Sequence, residues 1–205
     1  MKQPELFNPF GAYLLRHEVP EQVFTLLTQT IENVRPKLDD PEFLKQYSHD
    51  EYLAGKNSYQ IKMPPDLLDA IGLDNYLLSL ADFYLRQHGQ EQDLIMGSTW
   101  INFGYEGDIN PIHTHDALLS GVIYVKQDQS IFDEMKDYTG RNTHGCPGAT
   151  HFVYSVESRR FNNNFHTNVT QPGTLCMFPS WLPHYVNPHQ KPGERIGVAF
   201  NILAA

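Results

Sequence analysis

The stretch P-I-H-T-H-D places His113, His115 and Asp116 within four positions of one another, directly ahead of the apolar run A-L-L-S-G-V-I-Y-V. Imidazole nitrogens and carboxylate oxygens are metal ligands, so the triplet is a candidate metal site. The plainer reading is a polar loop entering a strand, and ten histidines in the chain make chance H-x-H pairs common. On an extended backbone residues i and i+2 face the same side, so His113 and His115 converge closely enough for both rings to reach one ion. His184, in F-P-S-W-L-P-H-Y-V just past another apolar strand, offers a third nitrogen. Three such ligands at a barrel mouth would leave coordination positions open, as a catalytic rather than a structural metal site does.

The C-terminal segment strengthens the metal reading. Residues 186–195, V-N-P-H-Q-K-P-G-E-R, read as a hairpin loop between antiparallel strands. Pairing Val186 with Arg195 sets His184 opposite Gly197, and alternation then puts Arg195, Gly197, Ala199 and Asn201 on the face of His184. Ile196, Val198, Phe200 and Ile202 take the other face, ready to pack under helices. Small residues beside His184 leave room for a cavity, and Arg195 offers a planar fork for a carboxylate. The alternative for Arg195 is an ordinary surface arginine at a strand start. Trp100 and Asn102 share one face of their strand, as do Ser120, Val122 and Tyr124 of theirs. Asn102 and Tyr124 are thereby candidate hydrogen-bonding residues for a bound carboxylate, with Tyr124 equally readable as a core aromatic whose hydroxyl is satisfied internally. Trp181 is expected to pack rather than to meet a substrate. His144, Cys146 and His151 lack the paired spacing of a zinc finger.

The elements that must hold these residues divide the chain in two. Residues 1–92 read as helical: Pro20 opens a helix carrying Val23, Leu26, Leu27, Ile31 and Val34 at helical spacing, and Pro36 ends it. A short helix is expected over 41–47, and a longer helical region from Pro65 to His88-Gly89, interrupted at Gly72. Residues 93–205 read as strands at 94–104, 117–126, 149–156, 165–170, 174–178, 183–187 and 195–203, separated by turn signals such as Gly107-Asp108 and Pro172-Gly173. Helices followed by short strands predict a mainly β domain, a sandwich or barrel braced by helices, with 127–164 as a polar insertion. The whole, 1–205, is expected to be a single domain.

Composition narrows the functional class. A formal net charge of −9 argues against nonspecific binding to nucleic acid or to an anionic membrane surface. No run reaches the roughly 18 apolar residues of a membrane helix, and the N-terminus lacks the apolar core of a secretory signal. Cys146 and Cys176 are read as reduced thiols in a cytoplasm, a setting that keeps iron ferrous.

H-x-H before S-G-V-I-Y-V, the run G-T-L-C-M-F-P-S-W-L-P-H, and E-R-I-G-V-A-F-N together resemble the iron(II)/2-oxoglutarate-dependent oxygenases, most closely an uncharacterised oxygenase family of phages and bacteria. Trp100-Ile101-Asn102 and Gly107-Asp108 add to the likeness, which spans 100–126 and 173–202. The resemblance implies a double-stranded β-helix, a jelly-roll barrel with helices on one sheet. It implies Fe(II) held by His113, His115 and His184, and 2-oxoglutarate chelating that iron with its distal carboxylate on Arg195. It implies use of O2, with oxidation of a peptidyl or small-molecule substrate coupled to decarboxylation of 2-oxoglutarate to succinate. Most of the superfamily has a carboxylate where this chain has His115. The third ligand is therefore His115, or Asp116 swinging in, or a further group completing a set that begins at His115. The rival readings are a cupin-like binding module without turnover and an iron enzyme that does not use 2-oxoglutarate. Arg195 discriminates, since neither needs a carboxylate clamp.

Overall fold

The computed structural model describes residues 4–7, 11–49, 55–138, 146–154, 164–169 and 171–205. In chain order the elements are β1 (Glu5–Phe7), β2 (Leu14–Glu18), α1 (Glu21–Val34), a 3-10 turn (Arg35–Lys37), α2 (Pro41–Tyr47), β3 (Tyr59–Lys62), α3 (Pro65–Ala70) and α4 (Leu73–Gln87). There follow β4 (Leu94–Gly104), β5 (Asn110–His113), β6 (Leu119–Gln127), α5 (Gln129–Tyr138), β7 (Thr150–Val153), β8 (Phe165–Asn168), β9 (Thr174–Pro179), β10 (His184–Val186) and β11 (Arg195–Ala204). The strands form two antiparallel sheets: a seven-stranded one in the order β1-β2-β9-β6-β11-β4-β3, and a four-stranded one in the order β5-β10-β7-β8. This is the helix-braced jelly roll that the sequence predicts.

Local chemistry explains the helical starts and stops. Pro20 sits at the N-cap of α1, and Pro36, which has no N–H to continue an α-helical ladder, falls in the 3-10 turn that ends it. Asp40 caps α2 by accepting hydrogen bonds from the backbone N–H groups of Glu42 and Phe43, with Pro41 at the first helical position. The apolar stripes of α1 (Leu27, Ile31) and α4 (Leu73, Leu77, Leu80, Ala81, Tyr84) lie on one face of the large sheet. From that sheet Ile196, Val198, Phe200 and Ile202 rise to meet them, none more than 1% exposed. The alternation predicted for β11 thus sets the main core on one side and leaves Arg195, Gly197 and Ala199 facing the other sheet. Between the sheets lies a smaller core of Leu14, Tyr124, Phe152, Cys176, Phe178 and Leu182.

One expected pairing is wrong. Val186 does not pair with Arg195: β10 lies in the small sheet, with Val186 opposite Asn110 on β5 and Thr150 on β7. β11 lies in the large sheet between β4 and β6. The connector crosses between sheets instead of turning back, because its polar groups are satisfied on the way. Gly107 N–H donates to the His189 carbonyl at 2.9 Å, and the Gln190 and Lys191 N–H groups donate to the Glu134 carboxylate of α5 at 2.9–3.0 Å. The insertion at 127–164 is in part that helix, whose Ile131 and Met135 pack with Cys146 and Ala149. The sequence reading also passed over the short strands β1, β2, β3 and β5. Among the described residues no helix is long and apolar enough to cross a membrane.

Candidate metal centre and anion clamp

His113 ends β5 and His184 opens β10, and the two are direct cross-strand partners, their ring centres 4.3 Å apart. His115 follows two residues after His113 and is pinned by its backbone N–H, which donates to the Ser180 carbonyl at 3.0 Å. The exposed side chains of Ile112, Thr114 and Asp116 alternate with the more buried His113 and His115. This is the two-residue periodicity that the sequence suggested. One nitrogen from each of His113, His115 and His184 lies within 4.8 Å of the others, a grouping able to hold a metal ion. Asp116 points to solvent and is outside that grouping.

Hydrogen bonds fix which nitrogens face inward. His113 Nδ1 lies 2.7 Å from the Pro111 carbonyl and His184 Nδ1 lies 2.9 Å from that of Leu182. A carbonyl only accepts, so both Nδ1 atoms carry the proton and both Nε2 atoms present lone pairs, the arrangement that orients histidine ligands in metal sites. His115 Nε2 stands 3.3 Å from His184 Nε2. Burial pushes all three rings below the ordinary histidine value. His115 falls to about 4, helped by His113 and His49, and His184 to about 3, helped by His113 and His115. At neutral pH the three are uncharged donors, as metal ligation requires. Neutral imidazoles suit ferrous iron among other divalent first-row ions.

The cavity beside the histidines runs between the sheets and is also lined by Trp100, Asn102, Gly104, Asp108, Thr150 and Arg195. Arg195 is half-buried, with its Nε sealed from solvent and without a partner. Its guanidinium carbon lies 5.9 Å from the centre of the Tyr124 ring. Burial lowers its pKa from the ordinary arginine value, and no ion pair to it exists among the described residues. The Asp108 carboxylate, also on the cavity, is already held by the N–H groups of Ser58 and Tyr105, both at 2.9 Å.

The remaining sequence candidates divide. Asn102 lines the cavity, and its Oδ1 accepts from Gln60 Nε2 at 2.6 Å, which leaves its NH2 group for a ligand. Tyr124 is in the core between the sheets. Its hydroxyl donates to Thr150 Oγ1 and accepts from Asn168 Nδ2, both at 2.9 Å, so its role is internal in this arrangement. Trp181, expected to pack, is 56% exposed beside Tyr154. His151 contacts the Cys146 carbonyl and Thr167, and His144 lies outside the described residues. Sequence reasoning missed Asn57 and His189, both on the cavity wall. Each is a lone polar residue in a loop, with no spacing signal to mark it.

A family model described as "Putative 2OG-Fe(II) oxygenase" matches residues 98–201, which include every cavity residue discussed above except Asn57. A prolyl-4-hydroxylase from Pseudomonas putida is similar at 15% identity and TM-score 0.55, over 94% of this chain and 92% of that one. The viral collagen prolyl hydroxylase of Paramecium bursaria Chlorella virus-1, solved as a 2-oxoglutarate complex, gives 13% identity and TM-score 0.53, over 100% and 97%. HygX from Streptomyces hygroscopicus, solved with nickel and 2-oxoglutarate bound, gives 12% identity and TM-score 0.58, over 97% and 84%. At such identities these likenesses speak to the fold. No curated protein sequence matches the chain. With a family match covering just over half of its 205 residues, this chain belongs to the 2OG-Fe(II) oxygenases.

Proposed function

We propose that His113, His115 and His184 hold the iron of this oxygenase, that Arg195 binds the distal carboxylate of 2-oxoglutarate, and that the enzyme hydroxylates a peptidyl or small-molecule substrate. The observation that carries this reading is the placement of three converging neutral imidazoles and one half-buried arginine, with no ion pair among the described residues, on the same cavity. When bound, ferrous iron with 2-oxoglutarate supplies the activation of dioxygen, whose two atoms end in succinate and in the new hydroxyl while carbon dioxide leaves.

The chain's own residues do the positioning. The carbonyls of Pro111 and Leu182 hold His113 and His184 with Nε2 inward. Gln60 holds the Asn102 amide, and Arg195 supplies the positive charge that a dicarboxylate needs. Phe178 and Trp100 screen the histidine end of the cavity with apolar surface. The similar prolyl-4-hydroxylase, and HygX, which is also solved with hygromycin B bound, make prolyl peptides and small molecules of that kind the two classes to test first.

The test is anaerobic addition of Fe(II) and then 2-oxoglutarate to the purified chain. The expected result is a visible metal-to-ligand charge-transfer band that is absent in His184→Ala. Succinate formation in air, without added substrate, is expected to accompany it. Stoichiometric iron binding with no band on saturating 2-oxoglutarate overturns the assignment of 2-oxoglutarate to this site.

A further inference from the structure

The cavity holds more unmet hydrogen-bonding capacity than Arg195 alone. Three buried side-chain nitrogens without a partner line it: Asn57 Nδ2, His189 Nε2 and Arg195 Nε. Native proteins pair nearly all such atoms, so three on one cavity are candidates to meet a ligand group there.

The strand registers place all three at one end. Arg195 pairs with Gly104 at the end of β4. Tyr59 pairs with Phe103, so Asn57, two residues earlier, falls level with Tyr105, and Lys56 bridges to Ile109 beside it. His189 is tied by its carbonyl to Gly107 N–H. The histidine triad occupies the other end, near Trp100, whose ring centre is 6.0 Å from that of His115. Four residues of β4 separate Trp100 from Gly104, roughly 13 Å at strand spacing. The Arg195 side chain and an extended five-carbon dicarboxylate together span that gap.

His189 is held for a purpose. It is 3% exposed, and its Nδ1 donates to the Lys191 carbonyl at 2.9 Å, which leaves Nε2 as the free atom. The next two N–H groups are clamped by Glu134 of α5, and Ser130 Oγ donates to the Pro192 carbonyl at 2.8 Å. The insertion helix thus fixes the loop that carries His189.

We propose that Asn57 and His189 complete, with Arg195, a three-point cradle for the distal carboxylate of 2-oxoglutarate. The inference rests on the assignment of 2-oxoglutarate to this cavity. With Nδ1 committed to the Lys191 carbonyl, the His189 contact with a carboxylate is a donation from an Nε2–H. The titratable and charged groups on the elements that meet His189 are Tyr105, Glu106 and Asp108 on the β4–β5 turn, Lys191 on its own loop, Glu134 on α5, and Glu194 and Arg195 at the head of β11. Asp108 Oδ2 accepts from Ser58 and Tyr105, both Glu134 oxygens are held by Gln190 and Lys191, and both Glu194 oxygens by Arg35, Lys126 and Tyr105, while Glu106 is exposed.

Calorimetry on the full chain loaded with Mn(II) tests this, comparing 2-oxoglutarate with 2-oxopentanoate, which has the same chain length but no distal carboxylate. Asn57→Ala and His189→Phe are each expected to weaken 2-oxoglutarate about ten- to a hundredfold. Both should leave 2-oxopentanoate within about twofold, which also shows that the variants are folded and loaded. His189→Gln, which still donates, should keep most of the affinity. Equal weakening of both keto acids by Asn57→Ala and His189→Phe, or no weakening of either, overturns the cradle. If Arg195→Met alone discriminates between the keto acids, only this inference fails. If even Arg195→Met does not discriminate, the assignment of 2-oxoglutarate to this cavity fails with it.

Discussion

Replacing Arg195 with Met separates a ligand clamp from a structural arginine, because the two roles have opposite signs. Among the described residues Arg195 has a sealed, unpartnered Nε and no ion pair, and the Tyr124 ring, 5.9 Å away, lies favourably near its charge. Burial works against that charge. An apolar side chain of similar length removes an uncompensated buried cation, so the ligand-free midpoint of unfolding should hold steady or rise. With 2-oxoglutarate bound, losing one member of a buried charge pair costs about 2–5 kcal/mol, or roughly 30- to 5,000-fold in Kd. At a ligand concentration of 100 times the wild-type Kd the wild type gains about 2.7 kcal/mol. That corresponds to some 5–10 °C for a chain of this length. A 30-fold weaker Kd cuts the gain below about 1 kcal/mol, and the shift below about 4 °C. Thermal unfolding of the Mn(II)-loaded protein, with and without 2-oxoglutarate, reads both quantities. A ligand-free midpoint lowered by several degrees alongside an undiminished ligand shift would refute the clamp.

Other perturbations probe other parts of the molecule. His113→Ala and His184→Ala should each reduce Fe(II) or Ni(II) affinity by more than the 10–100-fold typical of losing an outer-shell partner, while the exposed Asp116→Ala leaves it within about twofold; chelator competition measures both. For Glu194, burial pushes the carboxyl pKa up, but hydrogen bonds from Arg35 and Lys126 outweigh it and hold the group below the ordinary carboxylate range. A depressed native pKa gives stability that is full above the unfolded value, about pH 4.5, and is lost as pH falls through the native one. Urea midpoints between pH 7 and 3 should therefore fall less steeply in Glu194→Gln, and parallel curves would contradict that. Phe200→Ala removes a fully buried ring between the large sheet and its helices, and should cost about 3–5 kcal/mol in denaturant unfolding.

What the sequence made legible was whatever is periodic or bunched. β11 showed its two faces because Ile196, Val198, Phe200 and Ile202 alternate with small or polar neighbours, and the structure buries that set under helices. His113 and His115 were visible as an i, i+2 pair, and His184 as the residue after an apolar strand. The sheet to which β10 belongs was hidden, because a three-residue strand carries no register and its partners, Asn110 and Thr150, lie far away in the chain. Helix α5 was hidden in a polar insertion, since Ile131 and Met135 make only a narrow apolar stripe. Asn57 and His189 offered nothing to read: their significance is a buried atom without a partner, and that exists only once the chain is folded.

The misplaced hairpin nevertheless led to a sound juxtaposition, and the reason lies in how the sandwich closes. His184 and Arg195 belong to different sheets, yet both inner faces look onto one interior, so a connector that crosses between sheets brings them to the same cavity as a tight turn would. The spacing between the histidine end and the arginine end is then set by sheet-to-sheet packing, not by pairing along one ladder. Tyr124 holds that spacing where it matters. It belongs to β6 of the large sheet, its ring lies under the Arg195 guanidinium, and its hydroxyl joins Thr150 of β7 and Asn168 of β8 in the small sheet. Arg16 Nη2, from β2, donates to the same Asn168 side chain at 2.8 Å, adding a second tie between the sheets. Of the two sequence readings of Tyr124, a ligand contact or a core aromatic with its hydroxyl satisfied, this arrangement shows the second, a crosspiece beneath the arginine. Beneath the proposed clamp, a buried hydroxyl with two partners, worth more satisfied than free, links the two walls of the cavity.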